Sequence, residues 1–230
     1  VRYLARIAAG AAVAVLSLFG VSAAGASTTL AHPNSTAQCV STGGPCIDGY
    51  SQLYGNQNVI NGANSGKVTL RLNSNGFSNE DVVLDWFGTV RQAVHDGLLT
   101  KNSYANVNYP NFFAGELEFS PFGRASHKCI GLPGPATAGQ KVIKVPCGTV
   151  NTTIWVWDHS HGTGGNCLTG HGIITGVYCP LINASDQNFS TPQALTTFGP
   201  NTQLQVRPEN NNGQETTPEQ QWSFRVNSTF

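Results

Sequence analysis

The stretch Asp158-His159-Ser160-His161, with His171 further along, is the densest set of chemistry-bearing side chains in the sequence. On a strand, His at i and i+2 share a face and make a workable pair of metal ligands. Asp158 is placed to orient an imidazole. The surrounding run is Gly-rich, however, and lacks an H-E-x-x-H or similar ligand motif. Solvated loop histidines are therefore expected, with no metal and no other cofactor. Other catalytic patterns are equally incomplete. His95 and Asp96 are neighbours at a candidate helix and would not face each other. No serine sits in a G-x-S-x-G elbow. Glu116 and Glu118 share a strand face, but glycosidase carboxylates flank a cleft roughly 5–9.5 Å wide. Two Glu on one surface strand more commonly keep an edge soluble. The expectation is a protein that is not an enzyme.

Binding chemistry is better represented. The Asn-rich segment from Thr100 to Phe113 carries Tyr104, Tyr109 and Phe112 among amide side chains. Rings cover the apolar face of a sugar while amides hydrogen-bond its hydroxyls. The same residues could equally cap a core.

These groups must be positioned by short strands. From Gly49 onward, alternating runs are separated by Gly, Asn and Pro, the signature of strands and turns. Lys67–Leu72, Gln140–Val145 and Gln203–Arg207 alternate polar and apolar residues, and each precedes a tryptophan. Trp86, Trp155 and Trp222 recur at intervals of 69 and 67 residues (155 − 86; 222 − 155), which predicts an internal repeat. Their expected role is a shared structural core. A short helix is predicted only over Thr89–Leu99, where Val90, Val94 and Leu98 fall at four-residue spacing. The fold class expected is all-β. Thr100–Phe113 and His159–Ser190 interrupt the repeat as inserted loops.

Composition bounds the rest. Charged residues make up 10% of the chain and the formal net charge is zero, so a nucleic-acid partner is not expected. Arg2 and Arg6, an apolar run from Ile7 to Phe19, and Ala24-Gly25-Ala26 read as a secretory signal peptide over residues 1–26. A flexible arm with a short Cys loop follows over 27–48, then a single domain over 49–230. The mature chain is expected to be secreted and extracellular, without a membrane span. The six Cys fit a disulfide framework in an oxidising compartment. Six Cys allow fifteen pairings; nearest neighbours give Cys39–Cys46, Cys129–Cys147 and Cys167–Cys179. No C-x₂₋₄-C spacing supports zinc instead.

Cys129-Ile130-Gly131, Gly139-Gln140-Lys141-Val142, Val145-Pro146-Cys147-Gly148 and Thr153-Ile154-Trp155 together resemble one repeat of the ricin-type β-trefoil lectins. Gln220-Gln221-Trp222 matches that family's closing Q-x-W, whereas Leu84-Asp85-Trp86 and Thr153-Ile154-Trp155 keep only the Trp. The resemblance implies a β-trefoil of three pseudo-repeats over roughly Gly49–Phe224, a within-repeat Cys129–Cys147 disulfide, and carbohydrate binding. The run Gly115–Gly123 and the stretches around Leu181–Asn183 and Gln220–Phe224 also resemble a group of secreted actinobacterial proteins, which implies location and fold rather than chemistry. The family's sugar-binding Asp, aromatic and amide are replaced in the middle repeat by Gly131, Val145 and Gly148. Thr196 and Thr197 stand near the acid position of the last repeat, and in the first Asn61 is the nearest polar residue, with Leu72 in place of the aromatic. The first reading is therefore a non-catalytic binding module for a glycan or cell-wall polysaccharide, through Tyr104, Tyr109, Phe112 and Asn61. The second is a protease-inhibitor-like module that engages an extracellular protein through the His159–Ser190 loop. The third is a metal-dependent hydrolase using His159, His161 and His171.

Overall fold

The computed structural model describes residues 46–62, 66–73, 82–163, 168–169, 172–173, 177–186, 191–210 and 216–226. The expected signal peptide, most of the arm, Cys39, Cys167 and His171 lie outside them. Among the described residues, twelve strands form one antiparallel sheet that closes on itself. Six of them make a ring: β1 (Ile47–Ser51), β4 (Val82–Thr89), β5 (Phe113–Phe119), β8 (Ile154–Trp157), β11 (Cys179–Asn183) and β14 (Gln221–Val226). Each pairs with the next, and β14 returns to β1. Three hairpins complete the fold: β2–β3 (Asn58–Asn61, Thr69–Leu72), β6–β7 (Lys128–Gly131, Ile143–Pro146) and β12–β13 (Gln193–Thr196, Gln205–Pro208). A separate small hairpin, β9–β10, pairs Leu168–Thr169 with Gly172–Ile173.

The three hairpins meet through their apolar positions. Leu204 N–H donates to Val68 O at 2.9 Å and Val142 N–H donates to Leu204 O at 2.9 Å. All three side chains are buried. This is a β-trefoil-like arrangement, in which ring closure removes the exposed edges that an open sheet would leave. The alternating runs seen in the sequence became β3, β7 and β13 because one face of each hairpin turns into this cap.

Trp155 and Trp222 are fully buried at matching places in their repeats. Trp155 Nε1 donates to Ile130 O and Trp222 Nε1 donates to Leu195 O, each at 2.8 Å. Trp86 does not join them, and this corrects the repeat as read from spacing. Trp155 pairs with Gly115 and Asn183, and Trp222 with Cys179 and Ser51. The residue of β4 in the equivalent register is Val82, paired with Ile47 and Phe119 and fully buried. Trp86 lies beyond a β-bulge between Leu84 and Trp86, half-buried, with its Nε1 donating to Asp96 at 3.0 Å.

A second apolar cluster covers the outside of the ring. The helix α1 (Val90–His95) is capped by Thr89, whose side chain accepts from Gln92 N–H while the Gln92 side chain accepts from Thr89 N–H. A second short helix, α2 (Tyr104–Asn108), was not expected from the sequence; Ser103 caps it by accepting from Asn106 N–H at 3.2 Å. Val90, Ala93, Leu99 and Ala105 pack against Ala114, Ile154, Val156 and Ile182. Strand β8 is therefore buried on both faces, with Trp155 and Trp157 inside and Ile154 and Val156 under the helices. That explains its unbroken Ile-Trp-Val-Trp run.

The predicted arm ends earlier than expected. Cys46 is buried and Ile47 and Asp48 belong to β1, because that strand pairs with β14 along its whole length. Cys129 is bonded to Cys147, as nearest-neighbour pairing and the family resemblance both implied. Cys46 and Cys179 each take part in a disulfide as well, not with each other. Among the described residues no helix is long and apolar enough to cross a membrane.

Candidate functional site

The aromatic segment is not an exposed platform, which corrects the first binding expectation. Tyr104 is 5% exposed, packs edge-on to Tyr109 and otherwise lines a pocket of about 90 Å³. Burial raises both phenols above their ordinary value, and they are hydrogen-bonded to each other. Tyr109 and Phe112 pack on the outer cluster, with ring centroids 4.9 Å apart. Phe112 then stacks on His159 at 4.1 Å. The segment's role is to seal the outer face of the ring.

The lectin-like positions are closed for definite reasons. A Cβ on Gly131 would sit 2.8 Å from Thr152 O and 2.8 Å from Val145 Cγ2, so no acid fits there. Thr196 is 6% exposed; its hydroxyl donates to Ala194 O at 3.0 Å and accepts from Gln220 Nε2 at 3.1 Å. Gln220 also donates to Pro208 O and accepts from Asn210 N–H, so the amide of the Q-x-W motif is spent within the third repeat. Asn61 is 2% exposed, inside the β2–β3 pairing, and presents no surface to a ligand.

An open polar cleft lies elsewhere in the first repeat. Its volume is about 290 Å³, and it is lined by Asn56, Gln57, Leu72, Asn73 and Arg225. A 3-10 turn over Gly55–Gln57 carries the first two amides, and Asn73 N–H donates to Gln57 O at 2.9 Å to hold the end of β3 against it. Beneath, the buried Asp48 carboxylate accepts from Asn73 Nδ2 at 2.9 Å and from Arg225 Nε at 3.1 Å. One carboxylate thus sets the orientation of an amide from β3 and a guanidinium from β14. Leu72, 75% exposed, forms an apolar rim, while Asn56 and Gln57 are exposed. Sequence reasoning placed Leu72 near a binding position but missed Asn56, Gln57, Asn73 and Arg225. Arg225 lies at the far end of the chain and becomes a neighbour only when the ring closes.

The histidine segment folds differently from a strand. Asp158 directly follows β8 and the chain turns over His159–His161, so His159 and His161 diverge. His159 goes to Phe112, whereas His161 Nδ1 lies 2.9 Å from Asp158 Oδ2 and 3.2 Å from Glu209 Oε1. Burial works to lower the His161 pKa, but the hydrogen bond to Asp158 and the two carboxylate charges outweigh it, and the net shift is upward. Glu209 had no signal in the sequence.

Glu116 and Glu118 are buried rather than edge residues, because β5 is paired on both sides. Glu116 accepts from Gly148 N–H at 2.7 Å; Glu118 accepts from Ser126 N–H at 2.9 Å and His127 N–H at 2.7 Å. They hold two turns in place. Burial raises the Glu116 pKa, the Thr153 and Gly148 hydrogen bonds oppose this, and nearby Asp85 and Glu118 add to it.

Neither a protein-family model nor a curated protein matches the sequence. Among solved structures, the designed 3-fold symmetric protein ThreeFoil is similar over 78% of this chain and 96% of its own, at 14% identity and a TM-score of 0.46.

Proposed function

We propose that the chain is an exported, non-catalytic β-trefoil module of ricin-lectin type that binds carbohydrate through the Asn56–Gln57–Asn73–Arg225 cleft. The observation that carries this reading is the cleft itself. The exposed amides of Asn56 and Gln57, beside the half-buried Asn73 amide and Arg225 guanidinium that Asp48 orients, are suited to donate to sugar hydroxyls, and Leu72 supplies an apolar edge. The disulfides suit an oxidising, extracellular setting. The ligand in this reading is a neutral or acidic polysaccharide, such as a wall or environmental glycan.

A broad glycan array that includes bacterial wall fragments tests it. Binding competed by free oligosaccharide and weakened at least about tenfold by N56A/Q57A is expected, on the scale of one or two lost hydrogen bonds. Binding unaffected by that double variant would move the site elsewhere. No binding by folded, disulfide-intact protein would overturn the carbohydrate reading in favour of a protein partner.

A further inference from the structure

We propose that Asp158, His161 and Glu209 form a divalent metal site of the zinc class, bridging the second and third repeats. Three donors from two separate segments converge there. The Asp158 and Glu209 side chains are both 0% exposed, and His161 is 27% exposed, so the site is roofed by protein with one open side. The donor atoms all lie within 4.8 Å of one another. Two edges of the set, 2.9 and 3.2 Å, are those of a coordination polyhedron with metal–ligand bonds of about 2.1 Å, roughly 2.9–3.5 Å.

Chemistry favours a cation over a plain ion pair. Nδ1 carries at most one hydrogen, yet two carboxylate oxygens approach that one atom. A metal ion placed among the three atoms would be ligated by both oxygens and by the nitrogen lone pair together. The Asp158 carboxylate is itself hydrogen-bonded, as ligating carboxylates are in metal sites. Ser160 N–H donates to Asp158 Oδ1 at 2.9 Å and its hydroxyl donates to the same oxygen, leaving Oδ2 turned to the site. The backbone of His161 is held by Gln221 Nε2, which donates to its carbonyl at 2.8 Å. One nitrogen and two oxygen donors suit zinc or manganese, with the open side left for water.

The position also has a counterpart in each repeat. Glu209 directly follows β13 as Cys147 follows β7 and Asn73 follows β3, and the hairpin registers coincide. Cys147 ties its repeat by a disulfide and Asn73 by its bond to Asp48. Glu209 makes the third tie, through His161.

Chelator-treated full-length protein titrated with zinc chloride alone is expected to take up one equivalent, with a raised Tm. Loading with cobalt(II) should give visible absorption from a low-symmetry site. H161Q and E209Q should each weaken uptake at least about tenfold, whereas H159A should leave it intact. Far-UV circular dichroism and disulfide content verify that each variant is folded, and the cobalt spectrum of the parent protein needs no variant at all. No uptake by folded parent protein, uptake unchanged in both H161Q and E209Q, or loss of uptake in H159A alone would overturn the proposal.

Discussion

At the scale of single residues, the same residue type does different work according to its register. Trp222 is fully buried and its Nε1 bonds to Leu195 O, whereas Trp86 is half-buried and bonds to partly exposed Asp96. W222F should cost about 2 kcal/mol or more, from lost packing and an orphaned carbonyl. W86F should cost less than about 1 kcal/mol. Urea denaturation of the two variants measures the contrast, and equal losses would contradict the register assigned to Val82. Glu116 supplies a pH test. Its folded-state pKa is raised above the ordinary 4.5, so the folded chain holds this proton more tightly than the unfolded one. The resulting stabilisation is present below about pH 4.5 and disappears as pH rises through the folded value. E116Q keeps an acceptor for Gly148 N–H without the charge. Its urea midpoint relative to the parent should therefore rise between pH 4 and pH 7; a difference that stays flat or falls would show that Glu116 is not held against ionisation.

At the scale of elements, the inserted segments act first on packing. Residues 89–113 form two short helices over β5, β8 and β11 and bury a second apolar cluster. Y104A should destabilise the fold by about 3 kcal/mol, since it removes a buried ring. Glycan retention by the folded fraction should be unchanged, because Tyr104 lies outside the proposed cleft. A selective loss of retention with unaltered thermal stability would restore the aromatic segment as a binding surface. The strand runs and the helix starting at Thr89 were legible, because period-two alternation and the four-residue spacing of Val90, Val94 and Leu98 are local properties. Helix α2 was not. Its five residues, Tyr104–Asn108, include two Asn and no apolar periodicity, and its stability comes from docking onto the ring rather than from propensity.

At the scale of the whole molecule, ring closure brings distant segments together. It sets Arg225 beside Asp48 and Asn73, and docking of the third hairpin sets Glu209 beside His161. The Cys129–Cys147 bond ties the middle hairpin across one repeat, its ends 18 positions apart in sequence. C129A/C147A should lower stability by about 3 kcal/mol, read from thermal unfolding, without moving Trp155 from its buried site as judged by fluorescence maximum. A red-shifted maximum in the folded variant would mean that the disulfide positions the core rather than only limiting the unfolded chain.

The amino-acid sequence by itself determined the strand-rich class, the hairpin runs and the core placement of Trp155 and Trp222. Each is written in spacing or alternation within one segment or one repeat. Only the tertiary structure decided which tryptophan leaves the core, that Tyr104 and Asn61 are buried, that Gly131 has no room for a side chain, and that Asp48, Asn73 and Arg225 share a cleft. Those outcomes depend on register across the ring and on contacts between residues as far apart as Asp48 and Arg225. A one-residue shift in strand pairing reverses which side chains face the core, and no local pattern records that choice.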